Sequence, residues 1–136
     1  LFNRFYQPDI DLDSLAVERR LHFSDPTELL LRLRWLAILR GQVGLSLAAS
    51  GGVHSAGDAV KALLAGADVV QMVSLLMREG ASGLARLKSG LAGWLGERGY
   101  ASVDEMRGLL ALDRVADPGA YERANYLRLL QGPARG

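Results

Sequence analysis

The chain contains no cysteine. Disulfides, thiolate metal sites and a cysteine nucleophile are therefore excluded, and a reducing compartment is permitted without being required. An excess of one charge is also missing: 16 Lys and Arg stand against 15 Asp and Glu, a formal net charge of +1. No global field draws such a chain to nucleic acid or to an anionic membrane. Long hydrophobic runs are absent as well. The longest apolar stretch, Leu29 to Leu39, is interrupted by Arg32 and Arg34 and falls short of the ~20 residues that a membrane span needs. A basic region leading into an apolar stretch and a small-residue cleavage site is not found at the amino end, so no secretory signal is expected and the cytoplasm is the expected location. His22 is read without a ligand set around it, so no metal site is expected.

What is present is apolar bulk. Hydrophobic residues form 49% of the 136-residue sequence, enough for a chain of domain size to bury a core. No internal repeat, low-complexity segment or flexible linker divides it, so residues 1–136 are read as one partial domain. Leu1-Phe2-Asn3-Arg4-Phe5-Tyr6 reads as an apolar, aromatic strand without an initiator Met or a polar lead-in, and a truncated beginning is expected. Gln7-Pro8-Asp9 ends that strand, because Pro removes a ladder donor and Asp competes for backbone hydrogen bonds. Residues 8–24 form a connecting excursion, in which the alternation Arg20-Leu21-His22-Phe23 suggests a short, half-exposed strand.

Asp25-Pro26-Thr27-Glu28 supplies a cap, a first-turn Pro and an acid three residues after the cap, which open a helix expected to reach about Arg40 and stop at Gly41. Its circumference is more apolar than one buried face needs, which hints at a subunit contact and a homo-oligomer. Leu45 to Ser50 is a short apolar run between Gly44 and Gly51-Gly52, read as a buried strand. Ser55 with Asp58 opens a helix ending at Gly66, and Val69 to Val73 is the next strand, apolar on both faces as a covered parallel strand should be. The span of about 30 residues fits a strand–helix–strand unit. Beyond Ser74, Leu84, Leu87, Leu91, Trp94 and Leu95 follow the spacing of one long amphipathic helix ending near Gly99. Ser102 is placed to cap a short helix over Val103 to Arg107, and Asp117-Pro118 to open a last helix over Tyr121 to Leu130, with a frayed tail from Gly132.

Two strand ends, Ser50-Gly51-Gly52 and Val73-Ser74, then emerge side by side before helix starts. Free N–H groups and the positive end of a helix dipole suit an anion, and glycine lets backbone approach it closely. From pattern alone, Gly51-Gly52 is equally well a tight turn and Ser74 an ordinary cap. Four segments weigh on that choice: Leu1 to Asp11, Ser50-Gly51-Gly52-Val53, Gly66-Ala67-Asp68-Val69-Val70-Gln71-Met72 and Gly99-Tyr100-Ala101-Ser102-Val103. In their order and approximate spacing the chain resembles the last three βα units of the dihydroorotate dehydrogenase-like family. The resemblance implies an α/β fold, the carboxy-terminal portion of a (β/α)8 TIM barrel, and an FMN-dependent oxidoreductase of pyrimidine metabolism acting on a carbon–carbon bond of a dihydropyrimidine-type ring. It implies that Ser50, Gly51, Gly52, Val73 and Ser74 hold the FMN phosphate, that Ser24 lies near the cofactor, and that Asn3 hydrogen-bonds the ring substrate. Val73 departs from the family's usual Gly.

Other residues are read more plainly. His54 is within reach of the phosphate, but the preferred reading is a His at a helix start with one backbone partner. Arg19-Arg20 and the Arg32, Arg34 pair are read as solvated surface charge, and Trp35 and Trp94 as core or subunit contact. In the resembling family the proton-exchanging Ser or Cys and the flavin-facing Lys lie on earlier segments, and the sole lysines here are Lys61 and Lys88. No catalytic residue is therefore expected in this chain. Three barrel strands without closure leave edges and an apolar face open, so the chain alone should self-associate and bind FMN weakly. Two further readings compete: a barrel lyase or isomerase gripping a phosphorylated substrate at the same loops, and a non-catalytic fragment that docks on a partner.

Overall fold

The computed structural model describes residues 7–121. The strand read over Leu1 to Tyr6, with Asn3, and the helix read beyond Tyr121 lie outside the described residues. The centre of the fold is β3 (Ala48–Ser50), α2 (Ala56–Ala65) and β4 (Val69–Gln71), preceded by β1 (Asp9–Asp11), β2 (Ala16–Glu18) and α1 (Glu28–Leu39), and followed by α3 (Val73–Glu97), α4 (Val103–Met106) and a 3-10 turn, Pro118–Tyr121. β3 and β4 pair in parallel, with Ala48 opposite Val69, Ala49 opposite Val70 and Ser50 opposite Gln71. The βαβ unit read from spacing is present. Among the described residues the arrangement is mixed α/β with two small sheets.

Both parallel strands are shorter than expected. β4 stops because α3 begins at Val73, and Asp68 accounts for β3: its N–H and that of Val69 donate to the Leu47 carbonyl, at 2.7 and 3.2 Å, and its carboxylate accepts the Leu47 N–H at 2.8 Å. Leu47 is thus tied to a side chain where a ladder would otherwise continue. Alternation along the strands then puts Ala49, fully buried, and Val70 against α1 and α2, while Val69 is 52% exposed on the opposite face. The expectation of a strand covered on both faces is corrected, since among the described residues helices cover one face only.

The excursion also differs from its reading. Arg20 to Phe23 is irregular, and the strands lie earlier, in an antiparallel hairpin pairing Asp9 with Glu18 and Asp11 with Ala16. The Asp11 carboxylate accepts from Asp13 N at 2.9 Å and from Ser14 N at 3.2 Å, an Asx turn that sets the reversal. The turn chemistry of Asp11 outweighs the weak alternation of Arg20 to Phe23.

α1 begins at Glu28, later than the Asp25 cap suggests, because Pro26 and Thr27 form a turn held by Thr27 N donating to Asp25 Oδ1 at 2.8 Å. Its buried face carries Leu29, Arg32, Leu36 and Ala37. α2 opens on the expected capping box: Ser55 Oγ accepts from Asp58 N at 3.2 Å, and Asp58 Oδ2 accepts from Ser55 N at 3.0 Å. It packs between α1 and α3 and over β4. α3 is not one continuous helix, since Gly80 has φ 61° and ψ −152° and the helix kinks there. Leu87 joins the main core with Leu36, and Leu91, Trp94 and Leu95 pack around Val60, Leu63 and Met106. Full burial of Leu36, Leu63, Leu87 and Met106 contributes about 1.5–3 kcal/mol each. Ser102 stands at the start of α4 without a capping bond from its side chain; Glu105 instead accepts from Ala101 N at 2.8 Å.

Candidate functional site

The carboxyl ends of β3 and β4 open into a cleft of about 500 Å³. Ser50 and Gly51 border it from the first strand end, Met72, Val73 and Ser74 from the second, and Leu21 to Ser24 from the segment before α1. Of the residues read as a phosphate grip, Ser50, Gly51, Val73 and Ser74 are brought together, and Ser24 joins them. Val73 is the first residue of α3 and is 68% exposed. Gly52 stands one step back. Gly51 and Gly52 have φ of +84° and +80°, backbone open to glycine at little cost, and a Cβ on Gly52 would come within 2.5 Å of the Leu29 backbone nitrogen. Gly52 therefore lets the start of α1 close on the loop.

Beneath the loop lies a cation that its spacing disguises. Arg32 is 6% exposed, and the reading of Arg32 as solvated charge is corrected. Its Nε donates to the Ser50 carbonyl, its Nη1 to the Glu28 carbonyl and its Nη2 to Glu28 Oε2 at 3.4 Å. A Cβ on Gly51 would meet the same guanidinium at 2.8 Å. The available signal was position: Arg32 is three residues after Leu29 and four before Leu36, on the buried stripe. Arg34 is likewise tied down, donating from Nε to the Tyr121 carbonyl at 2.8 Å. Arg20, 67% exposed and 3.3 Å from Glu18, is the surface charge it was read as.

Behind the cleft, Ser24 Oγ lies 2.9 Å from Ser74 Oγ and 3.3 Å from His54 Nε2, and Ser24 N donates to Ser74 Oγ at 3.1 Å. The His54 ring thus meets a side-chain hydroxyl, where a backbone partner was read. The backbone N–H of His54 is held by Asp58 Oδ2 at 3.1 Å, so the α2 capping box fixes the backbone of the residue. Arg78 Nη2 approaches the Ser24 carbonyl at 3.5 Å. Lys61 and Lys88 are exposed on α2 and α3. Among the described residues no three His, Asp or Glu side chains converge as metal ligands, and no helix is long and apolar enough to cross a membrane.

The frame of the site is held by Asp68. Besides Leu47 N, its carboxylate meets Arg40 Nη1 at 2.8 Å, and Arg107 Nε stands 3.8 Å away, beyond hydrogen-bond range. The Leu47 N–H foremost, with the Arg40 guanidinium, holds the Asp68 carboxyl below the usual carboxylate range.

No family model matches the chain. Over 109 residues it is 28% identical to dihydroorotate dehydrogenase (fumarate) of Saccharomyces paradoxus, an alignment covering 75% of this chain and 34% of the relative. The protein of the same name from Saccharomyces bayanus is 29% identical over the same shares of each chain. Probable dihydroorotate dehydrogenase A (fumarate) of Streptococcus pneumoniae (strain ATCC BAA-255 / R6) is 35% identical over 66 residues, 48% of this chain and 21% of the relative. The chain therefore spans about a third of the length of the first two curated relatives.

Proposed function

We propose that this chain is the carboxy-terminal, phosphate-holding part of an FMN-dependent oxidoreductase of the dihydroorotate dehydrogenase type, built as a (β/α)8 barrel of which it supplies the last βα units. The observation that carries the proposal is the convergence of Ser50-Gly51 and Val73-Ser74 on one cleft at the carboxyl ends of two parallel strands, the place where such barrels bind phosphate. Similarity to dehydrogenases of dihydroorotate supports the same reading.

The residues fit a phosphate group. Gly51 presents backbone without a side chain, the first N–H groups of α3 have no acceptor within the helix, and Ser74 offers a hydroxyl. Arg32, under the loop, adds positive potential and fixes Ser50 by its carbonyl. FMN, when bound, supplies the ring that exchanges hydride with a carbon–carbon bond of a dihydropyrimidine-type substrate. This chain's residues anchor the far end of that cofactor and so hold its position; Asn3, outside the described residues, is assigned to the substrate. Proton transfer and flavin charge are assigned to segments that this chain does not contain, so the chain alone is expected to be catalytically silent.

The test is direct. Purified full-length protein should carry bound flavin, visible by its absorbance, and Gly51→Val should lose it, since the new side chain meets Arg32 and the φ of +84° strains any residue but glycine. A colourless protein that takes up no FMN would overturn the proposal.

A further inference from the structure

Ser24, His54 and Ser74 come from three separate segments, yet their polar atoms form one chain of contacts, and Ser24 in its middle is 5% exposed. A buried hydroxyl group has one proton to give, and where it goes decides what the cleft receives. In one direction, His54 Nε2–H donates to Ser24 Oγ and the Ser24 hydroxyl donates to Ser74 Oγ. Ser74 Oγ then accepts from both the Ser24 hydroxyl and the Ser24 N–H, so both its lone pairs are used and only its own proton is left for the cleft. In the other direction, Nε2 is bare and accepts the Ser24 proton, Ser74 donates to Ser24, and a Ser74 lone pair faces the cleft. An anionic oxygen is stabilised by the first arrangement and repelled by the second.

We propose that His54 is a positioning residue that acts through Ser24 to fix Ser74 as a hydrogen-bond donor, so that the cleft takes an acceptor-only group such as a phosphate monoester. This rests on the proposed phosphate site and adds a residue that does not border the cleft. The backbone of His54 is pinned by Asp58, whose carboxylate belongs to the α2 capping box, so the relay has a fixed end. A ligand that has to donate at Ser74, an ammonium or an amide N–H, is disfavoured.

Nitrogen NMR of the full-length protein with FMN added reads the state of the His54 ring, and titrations with FMN and with riboflavin, which lacks the phosphate, read the consequence. A proton on Nε2 in the FMN complex is expected; a bare Nε2 would overturn the relay. His54→Gln keeps an N–H donor and should bind FMN within about twofold of the parent, whereas His54→Phe should weaken FMN about tenfold, the worth of one charge-assisted hydrogen bond. Unchanged riboflavin affinity in the same variants shows that the fold is intact. FMN binding by His54→Phe at parental affinity would also overturn the relay and leave the proposed function standing. A parent protein that binds neither FMN nor inorganic phosphate would remove both.

Discussion

Asp68 shows how one carboxylate positions a site that it does not touch. It joins the end of α1 through Arg40, the start of β3 through Leu47 and the start of β4 through its own backbone. Asp68→Ala leaves the Leu47 N–H without its acceptor and the Arg40 guanidinium with the Gly66 carbonyl alone, and should cost about 1–3 kcal/mol, measured by denaturant unfolding. The pH dependence follows from the lowered folded value. Stability from Asp68 is fully present above the ordinary aspartate range, near pH 4, and is lost as pH falls through the lowered folded value. Acid unfolding of the parent should therefore steepen in that window, and Asp68→Asn should flatten it. The sequence showed the Gly66 to Met72 segment as part of a resemblance but not this role, since the partners of Asp68 are 21 and 28 residues away. Arg32 and His54 were hidden for the same reason. An arginine within an apolar stripe, or a histidine after two glycines, takes its meaning from the loop it folds against.

At the scale of elements, helices were the most legible because their caps are local. The Ser55 and Asp58 box and the Gly66 stop are read from adjacent residues and are found in place. Gly66 has φ 115°, its N–H donates to the Leu63 carbonyl and the Ala67 N–H to the Ala62 carbonyl, both at 3.0 Å, and a Cβ there would lie 2.7 Å from Arg40 Cβ. Gly66→Ala therefore combines a left-handed backbone with a clash, and should lower stability by more than the roughly 1 kcal/mol of an exposed left-handed site. A thermal melt equal to the parent's would contradict this. Strands were less legible, because length and register depend on partners. Leu45 and Val73 look like strand residues, yet Asp68 ends one ladder and α3 begins where the other would continue. The kink at Gly80 was missed because the stripe read for α3 started beyond it, at Leu84, although Leu75 before the kink is buried as well.

Taken whole, the described residues bury a core between α1, α2 and the parallel pair, but leave much apolar surface open. Leu30 and Leu31 on α1, Val69 on β4, and Ile10 and Val17 on the hairpin are all more than half exposed. Such surface, together with strand edges, favours association. Sedimentation velocity of the isolated chain should show species larger than a monomer that grow with concentration; a monomer at all concentrations would contradict this. The role proposed for the Ser50-Gly51 and Val73-Ser74 ends is to hold a flavin phosphate. Its most direct measurement is the ratio of FMN to riboflavin affinity in the full-length protein, by calorimetric titration, with and without Ser74→Ala. FMN should bind at least about a hundredfold tighter than riboflavin, from two or more charge-assisted hydrogen bonds, and Ser74→Ala should shrink that ratio about tenfold without changing riboflavin binding. Equal affinity for the two flavins, or a ratio indifferent to Ser74, would contradict that role.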